Sequence, residues 1–500
     1  MSTPKKRKLD SQEFSTQKRA RKTSKNKNTK LPCLDVFGDV KLSAEQVRAV
    51  THLYASTDKK SKGFHGLVVA HGTGTGKTEI ILGAISCAGK HNVKRVVLVT
   101  TKSLIDEFEK RMKKYNFKVP KQVELQVVTY AKFCNDLAAR RSTCSSNTLL
   151  IVDEAHNLRN PMSKRYLEIQ SCASVSKYVM VLTATPFVNS VSDIAVLFRL
   201  IMTPAMSGKY STTYLSRLLL GVSNTTSTTN NKKDKKGKLA KLAKLAPFKN
   251  HVSYFYTSKH DTNFPRVDTH VEKFKMSPAY EREYVKLENN VFDKLVMFDK
   301  TKDLSAFYTA LRTSTHKIGE QQSTKFERIK KLLLAKKQTV LYSEFLSSGV
   351  SIFTEFMKAN NVSFAVVTGS ISALQRKEAV DKYNKQEVRV LIISKAGEAG
   401  LDLKNTRQII FTTLPWNFAT YEQVVGRGVR FKSHESLPEK DRQVDVYIFL
   451  QTKQPSKLFN ESNSMISRFA SIDDYLWSLI EAKRTQKEGL DGLLSQLSVK

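Results

Sequence analysis

The residues with the clearest chemistry are Ala70-His71-Gly72-Thr73-Gly74-Thr75-Gly76-Lys77-Thr78. They follow the apolar run Gly66-Leu67-Val68-Val69 and precede Glu79-Ile80-Ile81-Leu82-Gly83-Ala84-Ile85. Strand, glycine loop, lysine, hydroxyl, helix is the order of a phosphate-binding P-loop. The glycines let backbone N–H groups close around phosphate oxygens. Lys77 can reach the β- and γ-phosphates, and Thr78 can offer an oxygen to Mg2+. His71 stands where such a loop usually begins with glycine. A second set, Ile151-Val152-Asp153-Glu154-Ala155-His156, ends an apolar run with a carboxylate pair. There Asp153 can hold Mg2+ through its water shell, and Glu154 can orient and deprotonate an attacking water. In Leu182-Thr183-Ala184-Thr185-Pro186 the hydroxyls can hydrogen-bond His156 or the carboxylates, linking hydrolysis to motion. Far downstream, Gln423, Arg427 and Arg430 are spaced i, i+4 and i+7, which is one face of a helix. Two arginines on one face suit the charge that spreads over a γ-phosphate in its transition state, so they are candidates for an arginine finger acting in cis.

These groups need rigid elements to hold them. Strand-like runs at 67–70, 95–100, 125–129, 148–152 and 178–182 alternate with helical patterns. A second series lies at 339–342, 363–367, 388–393, 408–411 and 443–450. Such alternation implies parallel βαβ units, here two of them, over 31–205 and 320–455. Between them, 206–319 reads as a linker with a flexible basic loop at 222–250 and a helical part at 276–318. A C-terminal segment, 456–500, also reads as helical, with Trp477 packing against the body.

Composition sets the class of partner. The 500 residues carry 83 Lys and Arg against 46 acids, a formal charge of +37, which favours a polyanion. Residues 1–30 are polar, strongly basic and almost free of apolar side chains, so a disordered tail is expected. Within them Pro4-Lys5-Lys6-Arg7-Lys8 and Lys18-Arg19-Ala20-Arg21-Lys22 read either as nuclear import signals or as a nonspecific nucleic-acid arm. The import reading puts the protein in a nucleus. No apolar run reaches transmembrane length, the N-terminus does not read as a signal peptide, and no membrane partner is expected. The five cysteines are scattered without a Cys-x-x-Cys pair, so neither a zinc site nor a disulfide frame is expected, and a reducing compartment is implied.

The ordered set of motifs resembles the superfamily 2 helicases. Segments 70–78, 153–156, 183–186, 394–403 and 423–430 stand in the order of their motifs I, II, III, V and VI, and Leu42-Ser43-Ala44-Glu45-Gln46 resembles the segment whose glutamine reads adenine. Pro186-Phe187-Val188-Asn189, Leu197-Phe198-Arg199-Leu200, Ser323-Thr324-Lys325-Phe326 and Leu414-Pro415-Trp416-Asn417 are similar to the Swi/Snf-like branch. Arg430-Phe431-Lys432-Ser433-His434, Leu437-Pro438 and Arg442-Gln443-Val444 resemble nucleoside triphosphatases and early-transcription ATPases of poxviruses and other large DNA viruses. The resemblance implies an α/β fold of two RecA-like domains with parallel sheets that close on ATP and Mg2+ in the cleft between them. It implies that Gln46 contacts adenine, that 70–78 holds the phosphates, and that Thr78 and Asp153 hold the metal. Glu154 would act as base, Arg427 and Arg430 as the opposing arginines, and His156, Thr183, Thr185 and Gln423 as coupling residues. Thr100, Thr101 and Lys102, with Ser394, Lys395 and Gly397, would touch a nucleic-acid backbone, and Trp416 would either pack or lie near DNA. The implied activity is an ATP-dependent DNA helicase or translocase in viral transcription or genome handling. The alternatives are an ATPase subunit of a transcription initiation or termination factor acting with RNA polymerase, and an RNA helicase. A viral cytoplasmic factory or a virion are the alternatives to the nucleus. No chromatin-reading module is evident, so nucleosome remodelling is not expected.

Overall fold

The computed structural model describes residues 32–34, 42–55, 63–139, 144–187, 190–223, 243–255, 263–296, 305–395, 401–453 and 471–499. The basic clusters of residues 1–30, most of the 222–250 loop, Val188, Asn189 and Gly397 lie outside them.

Six runs rich in Val, Leu and Ile form one parallel sheet: β1 (Gly66–His71), β2 (Arg95–Thr100), β3 (Glu124–Thr129), β4 (Thr148–Val152), β5 (Tyr178–Thr183) and β6 (Val252–Phe255), in the order β3-β2-β4-β5-β1-β6. Strands β1, β4 and β5 are buried along their whole length. Helices cover both faces, which is why these strands read as continuous apolar runs rather than alternating ones. Two cores result. Leu67, Val69 and Leu182 point to one and Val68, Val179 and Val181 to the other. Each such side chain contributes roughly 1.5–3 kcal/mol on burial.

The second sheet is β7 (Arg266–Lys275), β8 (Thr339–Tyr342), β9 (Phe364–Val367), β10 (Val390–Ile393), β11 (Gln408–Phe411) and β12 (Gln443–Thr452). It is also parallel, in the order β9-β10-β8-β11-β12-β7. Two six-stranded parallel sheets with helices on their faces are the expected pair of RecA-like domains.

The stretch read as a linker does more than connect. Residues 252–255 supply β6, beside β1, and residues 266–275 supply β7, an edge of the second sheet. The helical part appears as Pro278–Val296 and Ser305–Ser314. The C-terminal helix runs Ile472–Leu497, with Trp477 packed against the core of the second domain. Near its start Asp473 makes a buried ion pair with Lys325 at 2.8 Å. Near its end Leu490, Leu493, Leu494 and Leu497 enter the core of the first domain. One disulfide joins Cys33 to Cys87 and another joins Cys144 to Cys172, leaving Cys134 free. This corrects the expectation of no disulfide: residues far apart in sequence meet across packed elements, which spacing alone does not reveal.

Candidate nucleotide site

Strand β1 delivers the P-loop to the rim of the sheet. Gly74 (φ 72°) and Gly76 (φ 80°) are left-handed, a conformation side chains with a Cβ resist. A Cβ on Gly76 would stand 2.3 Å from Gln46 Nε2. His71 closes β1 with its ring buried, tilted against Phe255, and with Nε2 2.8 Å from Ser253 Oγ. Burial, aided by the Lys77 charge, brings its pKa down to about 3, so the ring is neutral. Both partners come from β6, which explains why histidine can stand in the first position of the loop.

The Lys77–Ala88 helix starts at the loop's end. Lys77 Nζ donates to the carbonyls of His71 (3.2 Å) and Gly72 (3.1 Å), bridging the mouth of the loop. Burial lowers its pKa. The charges of Glu154 and Asp153 support the ammonium, while Arg430 and Arg427 oppose it. Gln46 lies beside the loop, but its amide is spent on protein. Nε2 donates to the carbonyls of Thr75 (3.1 Å) and Gly76 (3.2 Å), and Oε1 accepts from the Ser43 N–H at 2.8 Å. In this structure Gln46 braces the loop.

Strand β4 carries the carboxylates. Asp153 Oδ1 accepts from the Glu154 N–H (2.9 Å), and Oδ2 accepts from the Thr100 hydroxyl at 3.3 Å. Glu154 is itself left-handed (φ 51°, ψ 46°), a strain of about 1 kcal/mol in a residue with a Cβ. Asn157 holds it there, donating its N–H (3.1 Å) and Nδ2 (2.9 Å) to the Glu154 carbonyl. The two carboxylates titrate against one another. Burial and the Glu154 charge push Asp153 up to about 7. Burial would also raise Glu154, but the His156 hydrogen bond and the charges of His156, Lys77 and Arg427 outweigh it and bring Glu154 down to about 2. Two buried carboxylates this close repel one another, so the pair favours a nearby positive charge. A divalent cation would supply it, and Asp153 and the Thr78 hydroxyl are cavity-lining groups that could hold one.

His156 Nδ1 lies 3.2 Å from Glu154 Oε2 and 3.4 Å from Thr183 Oγ1, which in turn accepts from the Thr185 N–H at 3.0 Å. His156, Thr183 and Thr185, just past or at the ends of β4 and β5, thus form one hydrogen-bonded chain ending at Glu154. Gln423 does not join it and does not line the nucleotide cavity.

That cavity, about 620 Å³, is lined from both domains: Gln46, 73–79, Asp153 and Glu154 on one side, Asp402, Arg427, Arg430 and Phe431 on the other. The contact is close. A Cβ on Gly426 would lie 2.3 Å from Thr73 Oγ1, and one on Gly74 would lie 3.2 Å from Arg430 Cβ. Arg427 rides the Phe418–Gly428 helix, but the helix ends before Arg430. Arg430 reaches the cavity from the following turn, where its Nε donates to the Gly426 carbonyl (3.1 Å) and Nη1 pairs with Asp402 at 3.3 Å. Both arginines line the cavity, but not through the i+7 spacing of one helix.

The expected nucleic-acid residues divide. Thr100 and Ser394 are buried, 1% and 5% exposed, and Thr100 faces Asp153, so neither presents a side chain to a polymer. Thr101 is half-buried, and Lys102 and Lys395 are exposed. Lys102 lines a groove of about 800 Å³ between the two domains, with Lys110, Lys114, Arg376 and Lys377 but also with Asp106, Glu107, Asp381 and Asp402. Trp416 packs, stacked on Tyr308 at 5.7 Å. Sequence reading missed Tyr130, whose hydroxyl donates to the Asp153 carbonyl (2.6 Å), and the pair Phe264–Phe431 at the cavity's edge. No local pattern marks either.

Two family descriptions match the chain: "Type III restriction enzyme, res subunit" over residues 39–188 and "Helicase conserved C-terminal domain" over 324–432. The chain is 27% identical over 442 residues to a protein of Acanthamoeba polyphaga mimivirus named "Putative ATP-dependent RNA helicase", covering 84% of this chain and 91% of that one. It is 27% identical over 188 residues to nucleoside triphosphatase I of Melanoplus sanguinipes entomopoxvirus, covering 36% of this chain and 27% of the relative. A solved SWI2/SNF2 ATPase core of Sulfolobus solfataricus, in complex with dsDNA, aligns with 83% of this chain and 89% of its own at 17% identity and a TM-score of 0.37.

Proposed function

Because this chain belongs to the superfamily 2 helicases and carries both of their ATPase domains, we propose that it is an ATP-driven motor whose track is DNA. The observation that carries the reading is the split cavity, with a P-loop and a carboxylate pair on one domain and two arginines on the other.

ATP binding would draw Lys77 Nζ off the carbonyls of His71 and Gly72 and onto the β- and γ-phosphates. Bound Mg2+, held by Thr78 and Asp153, would add the charge that lets the triphosphate sit beside two carboxylates. Glu154, ionised and oriented by His156, takes the proton of the attacking water. Arg427 and Arg430 neutralise charge developing on the transferred phosphoryl group. The chain Glu154–His156–Thr183–Thr185 would connect the reacting end to the end of β5. Thr101, Lys102, Lys395 and Gly397 are the backbone contacts we retain, and the basic side chains beside Lys102 extend them.

We read the track as DNA, and the setting as viral transcription or genome handling, from the Swi/Snf-like and poxvirus-like segments. The name of the mimivirus relative favours RNA as the second reading. ATP turnover measured with single-stranded DNA, duplex DNA and RNA, beside a strand-separation assay, distinguishes them. Stimulation by RNA alone would replace the first reading with the second, and no stimulation by any polymer would sink both.

A further inference from the structure

Among the described residues, the C-terminal helix is the one long element that enters the cores of both domains. Its 26 residues span about 39 Å. Ile472, Leu476 and Ile480 lie in the core of the second domain, and the far end is stitched to the first. There the Asn250 N–H donates to the Leu497 carbonyl (3.0 Å), and the Val499 N–H to the Val252 carbonyl (2.8 Å). Between these ends sits Lys487, 8% exposed. Its Nζ is 2.8 Å from Glu422 Oε1 and 3.4 Å from Asp491 Oδ2.

The two carboxylates report on different domains. Glu422 is on the helix that carries Arg427, five residues or about 7.5 Å upstream along its axis. Asp491 hydrogen-bonds the side chain of Tyr254 in β6. The next residue of β6, Phe255, accepts the Gly72 N–H of the P-loop at 3.0 Å. A short polar path therefore runs from the arginine helix, through Lys487, to the strand that braces the phosphate loop.

Such a cluster is poor value as a stabilising device. Taking two carboxylates and an ammonium out of water costs several kcal/mol, which apolar side chains of similar volume would avoid. What charges supply instead is registry: they fix one geometry and can part and re-form when packed apolar surfaces cannot. We propose that Lys487 is a positioning residue for hydrolysis, acting through Glu422 to set Arg427 against the P-loop. This role rests on the split ATP site proposed for the chain.

The test uses the full chain with all three charges removed together (Glu422→Gln, Lys487→Met, Asp491→Asn), so that no carboxylate is left buried alone. Lys487→Arg serves as the conservative variant and Lys77→Ala as the control. The triple variant should keep its Tm within about 4 °C and its KM for ATP within about twofold of the parent. Its kcat should fall on the order of ten- to a hundredfold, the scale of an Å-sized misplacement. Lys487→Arg should retain most of kcat. Parental kcat in the triple variant overturns the inference. So does a loss of kcat that only tracks losses in Tm and KM, since that is what a merely structural role gives. Turnover surviving in Lys77→Ala overturns the split-site reading itself, whereas an inactive Lys77→Ala beside a fully active triple variant overturns only the role of Lys487.

Discussion

Gly426→Ala separates stability from activity. Gly426 lies inside the Phe418–Gly428 helix, where alanine is worth about 1 kcal/mol over glycine by propensity. The new methyl would nevertheless meet the P-loop of the other domain, with Thr73 Oγ1 at 2.3 Å, Cβ at 3.0 Å and Cγ2 at 3.2 Å. Turning Thr73 about χ1 moves Oγ1 and Cγ2 but leaves Cβ in place. Relief requires the arginine helix and the loop to separate by up to about 1 Å, and a shift of that size at a catalytic group costs on the order of a hundredfold in rate. The expected variant melts at or above the parental temperature, binds ATP, and turns it over ten- to a hundredfold more slowly, by the same scale. Thr73→Gly removes the opposing atoms and should restore part of the rate in the double variant. The assays are thermal unfolding, nucleotide affinity and steady-state turnover on polymer. Parental kcat in Gly426→Ala, or a deficit that Thr73→Gly does not relieve, would refute the domain contact.

Three further outcomes are expected. His316 is buried with carbonyls facing both ring nitrogens, Ser348 at 2.8 Å and Thr412 at 2.7 Å, which favours a second proton; burial and the Lys325 charge prevail and hold its pKa at about 4. Because the folded value lies below the unfolded one of about 6.5, its contribution is complete above about pH 6.5 and is lost as pH falls toward 4, by about 3 kcal/mol in all. Unfolding of His316→Gln should be less steep in that window than the parent, and equal slopes would remove the assignment. Thiol titration of the unreduced, denatured chain should find Cys134 only; five reactive thiols would mean that neither disulfide forms. Deleting residues 1–30, with eleven Lys and Arg, should flatten the salt dependence of nucleic-acid binding, and an unchanged slope would show that this segment touches no phosphate.

How much of this was legible in the chain depends on where each interaction is encoded. The ten strand runs read from sequence all became strands; central ones such as β1, β4 and β5 are buried on both faces and so are nearly unbroken apolar runs. Strands β6 and β7 escaped: Val252-Ser253-Tyr254-Phe255 is short and mixed, and β7 is an edge with most of its residues exposed. The phosphate loop and the carboxylate pair were visible because their chemistry is local. Thr100 was expected on a polymer but faces Asp153, since side-chain direction at the end of a strand is set by tertiary neighbours, while Gln46, expected at adenine, lines the cavity from the Ala44–Ala55 helix and also braces the loop. The support for His71, by Ser253 and Phe255, and the cluster around Lys487 each join residues tens to hundreds of positions apart, which no spacing rule encodes.

If Arg430 completes, from the second domain, a site whose phosphate grip is in the first, hydrolysis should fail without it while ATP still binds. Single-turnover hydrolysis of bound ATP by Arg430→Ala, at saturating polymer, addresses it most directly. The expected rate is lower on the order of 10³-fold, with ATP affinity changed only a few-fold. A parental rate of hydrolysis, or a deficit wholly explained by weaker ATP binding, would contradict it.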